Sequence, residues 1–234
     1  MTANEVTLRQ AALVAGVGLL IMAMAAPFAE FVVYPQLVVP GNIEATVQNL
    51  GARRGLFLAG MFAYLATFIC DVFVAWALYV LLAPVNRSLS LLTAWLRLVY
   101  TLIAIFGLTK FVAAYRIVHA PAYETIVGSD QLHAQVKLLI SSFGYEWDFG
   151  FFFFGIHLVL LGYLAYRSGY IPRILGVILA INGLGYLIDH GLRPYLFPKA
   201  DLGFLVITYF GELLFMLWLL IRGGRAPESA ARAA

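Results

Sequence analysis

The chain has 234 residues, of which 63% are hydrophobic and only 12% are charged, and its mean hydropathy is +0.90. Soluble domains are about half apolar and a quarter charged, so this composition excludes a soluble domain and indicates an integral membrane protein. The net charge of +3 comes from 15 basic and 12 acidic residues. They form no basic cluster, which argues against a nucleic-acid-binding protein. The single cysteine, Cys70, lies in an apolar segment and gives no information about the redox compartment.

Six apolar segments are long enough to cross a hydrocarbon core of about 30 Å, which requires roughly twenty helical residues. They lie near residues 11–33, 55–82, 89–118, 147–166, 174–192 and 204–221. We therefore predict an all-α fold, with a single integral membrane domain over residues 1–234 that is a polytopic bundle of six transmembrane helices. An even number of crossings places both termini on one side. Residues 223–234 are predicted to be a flexible tail.

The first segment could be misread as a secretory signal peptide. Arg9 precedes the apolar run, and Ala23-Met24-Ala25 resembles a cleavage site. The run continues to Val33, beyond a typical signal core of about 7–15 residues. We therefore favour a retained transmembrane helix.

Two connections have amphipathic patterns. Ile43, Val47 and Leu50 recur at helical spacing, with Asn42 as a candidate N-cap and Gly51 as a candidate helix end. The connection after the third segment also places four apolar residues on one face: Leu132, Val136, Leu139 and Ile140. We predict two short helices that lie in the membrane interface on the same side of the bilayer.

The distribution of basic residues predicts the orientation. Lys and Arg favour the cytoplasmic side of a membrane. Seven arginines share the side of the termini: Arg9, Arg87, Arg167, Arg173, Arg222, Arg225 and Arg232. The opposite side has four to six basic residues. We therefore predict cytoplasmic termini, with the two interfacial helices outside.

Asp71 and Arg97 are charged residues within consecutive antiparallel segments. A charge at mid-membrane costs about 3 kcal/mol on insertion scales, so such groups usually have partners. At a rise of 1.5 Å per residue they lie about 16 and 12 Å from the cytoplasmic ends of their segments. We predict a structural ion pair between them.

A larger polar group occupies the other half of the membrane. The candidate ligand-binding residues are Lys110, Glu146, His157, Asn182, Tyr186, Asp189, Arg193 and Glu212. The four from Asn182 to Arg193 follow helical spacing as one polar stripe, while Gly176, Ala180 and Gly183 form a separate small-residue stripe that favours close packing. The group predicts a polar pocket open toward the outer leaflet. The alternative is a self-satisfying network, for instance Lys110 with Glu212 and Arg193 with Asp189.

Several sequence runs resemble a known family. They extend from Phe151 to His157, Gly169 to Gly176, Gly183 to Asp189, Gly211 to Leu214 and Trp218 to Leu220. These runs are similar to the bacterial membrane family called domain of unknown function 4386. The resemblance implies a multi-pass protein of the bacterial cell (inner) membrane. It brings no agreed activity, so no catalytic residue transfers from it.

No metal or cofactor is predicted. Glu146, His157, Asp189, His190 and Glu212 include His and carboxylate ligands, but their spacing is not that of a metal site. Phosphate-binding loops and hydrolase motifs are absent from the sequence.

Three functions remain open. The leading hypothesis is a protein that binds or passes an amphipathic small molecule or lipid. The alternatives are a membrane-embedded enzyme that uses carboxylate acid-base chemistry on a lipid or prenyl-like substrate, and a structural or sensory subunit. A membrane protein partner or a homo-oligomer is compatible with each of the three.

Overall fold

The computed structural model describes residues 6–196 and 210–223. Within these residues every regular element is helical, which confirms the predicted all-α fold. The elements are α1 (Leu8–Pro27), the π-helical segment π1 (Phe28–Val33), α2 (Tyr34–Leu37), α3 (Ile43–Ala52), α4 (Arg54–Leu82), α5 (Arg87–Val118), α6 (Pro121–Val127), α7 (Ser129–Arg167), α8 (Arg173–Tyr186), the π-helical segment π2 (Leu187–Leu192), α9 (Arg193–Leu196) and α10 (Phe210–Ile221).

Five helical stretches in this part of the chain are long and apolar enough to cross a membrane: Leu8–Leu37, Arg54–Leu82, Arg87–Val118, Ser129–Arg167 and Arg173–Leu192. They correspond to the first five predicted segments. The shorter apolar helix α10 belongs to the sixth, whose residues 204–209 lie outside the described residues. The predicted flexible tail also lies outside them from residue 224 onward.

The chain divides into two compact units, which are described separately. Unit 1 comprises Met1–Ile21, Cys70–Thr101 and Phe149–Ala234. Unit 2 comprises Met22–Ile69 and Leu102–Asp148.

In unit 1, glycines allow the backbones of α7 and α8 to approach closely. A Cβ atom built on Gly162 would lie 2.5 Å from the carbonyl oxygen of Gly176, and one built on Gly183 would lie 2.6 Å from the carbonyl oxygen of Gly155. Any side chain at these positions would force the helices apart. Close packing through the stripe of Gly176 and Gly183 therefore agrees with the sequence pattern.

The turn between α7 and α8 is fixed by polar contacts. The Ser168 hydroxyl accepts a hydrogen bond from the Ile171 amide at 3.0 Å, and Gly169 has a φ of 76°, which glycine adopts without strain. The Tyr170 hydroxyl donates to the carbonyl oxygen of Leu81, near the end of α4. This bond satisfies one of the carbonyl groups that a helix end leaves without a partner.

Arg9 joins the beginning of α1 to the end of α10. Its guanidinium donates to the carbonyl oxygens of Gly223 at 2.6 Å and Leu220 at 3.2 Å. A cation at this position also favourably meets the negative end of the helix dipole. The beginning of α1 and the end of α10 are therefore adjacent in unit 1.

Unit 2 contains the first predicted interfacial helix. The side chain of Asn42 accepts a hydrogen bond from the Ala45 amide at 2.9 Å, which confirms the predicted N-cap of α3. The helix ends at Ala52, one residue beyond the predicted end at Gly51.

The second predicted short helix is the beginning of a much longer one. Helix α7 runs without interruption for 39 residues, from Ser129 to Arg167. No proline occurs between Pro121 and Pro172 to break it. Val136, Ile140 and Phe143 are buried on one face of this helix. The amphipathic stretch is therefore continuous with the apolar stretch that follows it, and both belong to α7.

Candidate functional site

The site in unit 1 is centred on Arg97, whose side chain is completely buried. Its Nε and Nη2 atoms each lie 2.7 Å from Oδ1 of Asp71, which is also completely buried. Asp71 lies 11 residues before the end of α4 at Leu82, and Arg97 lies 10 residues after the start of α5 at Arg87. Because a short turn joins these helices, their nearly equal distances from it place the two side chains at about the same depth.

His157 of α7 holds the other side of the guanidinium. Its Nδ1 atom lies 2.8 Å from the carbonyl oxygen of Thr93, and its Nε2 atom lies 3.3 Å from Nη1 of Arg97. A carbonyl oxygen only accepts hydrogen bonds, so Nδ1 must be the protonated nitrogen. Nε2 is then left with a lone pair, which accepts from Arg97. The contacts therefore define a neutral imidazole in one tautomer.

Glu212, in the first turn of α10, provides a second carboxylate. Its Oε1 atom lies 3.6 Å from Nη1 of Arg97, and its side chain is 21% exposed. We call Asp71, Arg97, His157 and Glu212 the Arg97 cluster. Glu212 is the accessible member of this cluster, while the other three are completely buried.

Aromatic rings surround the Arg97 cluster. The Cζ atom of Arg97 lies 5.2 Å from the centre of the Phe154 ring, which also stacks on His157 at 5.6 Å. Tyr186 of α8 meets Phe154 edge to face at 5.2 Å, and Tyr100 meets it at 4.8 Å. These rings give the charges a weakly polar environment, in which electrostatic interactions are stronger than in water.

Asn182 of α8 is completely buried, and neither polar atom of its amide has a hydrogen-bond partner. A Cβ atom built on Gly211 would lie 3.2 Å from Cβ of Asn182, so the amide lies where α8 packs against the first turn of α10. Glu212 is the next residue of that turn. Asn182 is also one helical turn from Tyr186, which contacts the aromatic wall. The Asn182 side chain therefore lies against the turn of α10 that carries Glu212.

The rest of the predicted polar stripe lies in and after π2. The Nε atom of Arg193 lies 2.7 Å from Oδ1 of Asp189, and Nε2 of His190 lies 3.8 Å from Oδ2 of Asp189. Asp189 and Arg193 thus form the pair considered in the network alternative. π-Helical turns occur frequently at functional sites, and π2 contains both Asp189 and His190.

Two predicted site residues belong to unit 2. The Nζ atom of Lys110 lies 4.3 Å from the centre of the Phe106 ring, a cation–π contact. The Oε2 atom of Glu146 is buried without a hydrogen-bond partner, and a Cβ atom on Gly107 would lie 3.5 Å from it.

The structure brings together residues that the sequence pattern predicts as two separate groups. Asp71 and Arg97 were considered apart from the candidate ligand-binding residues, yet His157 and Glu212 both contact Arg97. The sequence gives only a weak signal for this grouping of four side chains, because they come from four different helices. Within the described ranges, no three His, Cys, Asp or Glu side chains come together as metal ligands.

Comparison with known proteins identifies the family. The family described as domain of unknown function (DUF4386) matches residues 14–223 of the chain. An uncharacterized protein of Archaeoglobus fulgidus is 38% identical over 187 residues, which cover 80% of this chain and 91% of that protein. No solved structure matches the chain. The matched range includes all four residues of the Arg97 cluster, and the chain belongs to the DUF4386 family of multi-pass membrane proteins.

Proposed function

We propose that the protein binds or passes an amphipathic small molecule or lipid, whose polar end contacts the Arg97 cluster. The observation that carries this proposal is the combination of charged side chains in apolar helices with the unpaired amide of Asn182 beside them. A buried polar group without a partner costs about 1–3 kcal/mol. A ligand that supplies the missing hydrogen bonds recovers this free energy on binding.

The three side chains around Arg97 have distinct roles in this proposal. Glu212 is partly exposed, so it makes the first contact with the ligand. Asp71 holds Arg97 and balances part of the charge. His157 positions the guanidinium through its fixed tautomer and is a positioning residue. Lys110 and Glu146, the two predicted site residues of unit 2, are not part of this proposal.

We also propose that the protein lies in the cell membrane with both termini cytoplasmic. The contact of Arg9 with the carbonyl oxygen of Gly223 supports termini on one side. The excess of arginine on that side supports the cytoplasm. Fusion of a fluorescent protein or a phosphatase to the C terminus tests the orientation. We expect the fluorescent-protein fusion to fluoresce and the phosphatase fusion to be inactive. An active phosphatase would show that the C terminus is outside.

Native mass spectrometry of protein released from gently purified membranes tests the binding proposal. We expect a reproducible bound mass in the wild type that is lost in Glu212→Gln. Glu124→Gln is the matched control, because Glu124 is exposed on α6, and it is expected to retain the ligand. A bare mass, or phospholipid adducts that are the same in all three proteins, would contradict the proposal and favour a structural network.

A further inference from the structure

The two carboxylates of the Arg97 cluster share one cation. Asp71 and Glu212 both pair with Arg97, and neither has another cationic partner among the residues that the structure describes. With both carboxylates ionised, these three side chains have two negative charges and one positive charge. Charge inside a membrane-spanning bundle is costly unless it is balanced. Counted over the described residues, the cluster therefore lacks one positive charge.

His157 is poorly placed to supply that charge. Its Nδ1 hydrogen is directed to the carbonyl oxygen of Thr93, and Nε2 accepts from Arg97. A second proton would have to bind at Nε2, where it would face the guanidinium and break the contact. Within the described part of the chain, the missing charge is supplied by a proton on a carboxylate or by a bound cation. The unpartnered amide of Asn182 favours a bound group over a proton alone.

The amide of Asn182 distinguishes between kinds of cation. Its buried Oδ1 atom is an acceptor without a donor. A protonated amine has N–H groups that can meet both this oxygen and a carboxylate, whereas a quaternary ammonium group has no hydrogen to donate. Aromatic rings such as Phe154 and Tyr186 line the same region, and aromatic rings favour organic cations.

We infer that the ligand of this site is an amphipathic amine, with its ammonium group between Glu212 and Asn182 and its alkyl chain among the apolar helices. This assignment rests on the proposed binding function and specifies its chemical class. It excludes fatty acids and other anionic amphiphiles as preferred ligands, since a further negative charge would increase the imbalance at Asp71 and Glu212.

Three amphiphiles with the same twelve-carbon chain test the assignment: dodecylamine, dodecanol and dodecanoate. Binding is measured on the full-length protein in lipid nanodiscs, with empty nanodiscs as the blank. We expect dodecylamine to bind at least about tenfold more tightly than dodecanol, and dodecanoate to bind more weakly than dodecanol. Glu212→Gln is expected to abolish the preference for the amine, and Glu124→Gln to retain it.

Asn182→Leu is a second variant, which keeps the test valid if Glu212→Gln fails to fold. It removes an amide that has no partner, so it is expected to fold and to bind dodecylamine about tenfold more weakly. If Asn182→Leu binds dodecylamine as tightly as the wild type does, the ammonium group does not lie beside Asn182 and the proposed site is wrong. Binding of dodecanol or dodecanoate as tight as that of dodecylamine would overturn the amine assignment alone. Absence of saturable binding for all three amphiphiles would overturn the proposed function as well.

Discussion

The Nδ1 atom of His157 lies 2.8 Å from the carbonyl oxygen of Thr93, and this contact determines what the imidazole offers to Arg97. Since the carbonyl needs a donor, the lone pair is left on Nε2, 3.3 Å from the guanidinium. One histidine thereby ties α7 to two positions on α5, one turn apart. Both ring nitrogens of His157 are therefore used in contacts with α5.

The first prediction concerns this contact. His157→Leu is expected to lower the free energy of unfolding by about 2 kcal/mol, because it removes the contacts of the imidazole with the Thr93 carbonyl and the Arg97 guanidinium. His157→Gln is expected to cost less, since its amide retains a donor and an acceptor. Chromatography of the detergent-solubilised protein after heating measures both. If His157→Leu is as stable as the wild type, the contacts of His157 with Thr93 and Arg97 do not contribute to the stability of the fold.

The second prediction concerns the pair of Asp71 and Arg97. Arg97→Met leaves two buried carboxylates without their cation, so it is expected to destabilise the protein by about 3–5 kcal/mol. Asp71→Leu is expected to cost less, because Arg97 keeps Glu212 as a partner. The double variant is expected to cost less than the sum of the two, because it removes both members of this pair together, while Glu212 loses its cation in the single Arg97 variant and in the double variant alike. Unfolding midpoints of the four proteins give the coupling free energy. Additive losses would mean that the two side chains do not interact.

The third prediction concerns the close approach of α7 and α8. A Cβ atom at Gly162 would lie 2.5 Å from the backbone of Gly176, so Gly162→Ala is expected to reduce the yield of folded, monodisperse protein severely. Gly144→Ala on the same helix is the control, because no atom beyond its own helical backbone lies within 4 Å of its Cβ position. Alanine in a helix is favoured over glycine by roughly 0.5–1 kcal/mol. Equal yields from the two variants would exclude backbone contact between the helices.

The fourth prediction concerns Arg9. Arg9→Gln is expected to lower the free energy of unfolding by about 1–2 kcal/mol, because it removes charged hydrogen bonds to Leu220 and Gly223 at the end of α10. Arg87→Gln is the control, since this exposed arginine has a longer contact, 3.4 Å, to the hydroxyl of Tyr79. Thermal unfolding in detergent compares them. If Arg87→Gln lowers the free energy of unfolding as much as Arg9→Gln does, the loss would come from removing a positive charge and not from the contacts with α10.

The fifth prediction concerns pH and Tyr170, which lies in the turn after α7. Burial raises the pKa of Tyr170 above its ordinary value, which is about 10. The stabilisation that goes with a raised pKa is fully present below the ordinary pKa and is lost as the pH rises through the folded-state value. Tyr170→Phe is therefore expected to be less stable than the wild type at pH 8, with a difference that shrinks above about pH 10. A difference that does not depend on pH would exclude titration of this hydroxyl.

Much of the helical pattern could be predicted from local sequence. The apolar runs predict the long helices because a bilayer core requires a minimum length of apolar helix. Asn42 predicts the start of α3 because its side chain accepts from a backbone amide three residues on. Helix α7 differs from the prediction, which placed a separate short helix before residue 147. Polar residues at its start suggested a boundary, but nothing in the backbone chemistry of residues 129–167 ends the helix there.

The sequence by itself determined an all-α membrane protein, the family, and the set of ionisable residues that its helices place in apolar surroundings. It did not determine which of these residues meet. Glu212 and Arg97 are separated by more than 100 positions, and their contact requires α5 and α10 to pack in one arrangement. Helical periodicity gives the face of a residue on its own helix, whereas the partner across a helix contact depends on rotation and depth of both helices. Only the tertiary structure decides that two carboxylates share one arginine and that Asn182 is buried without a partner.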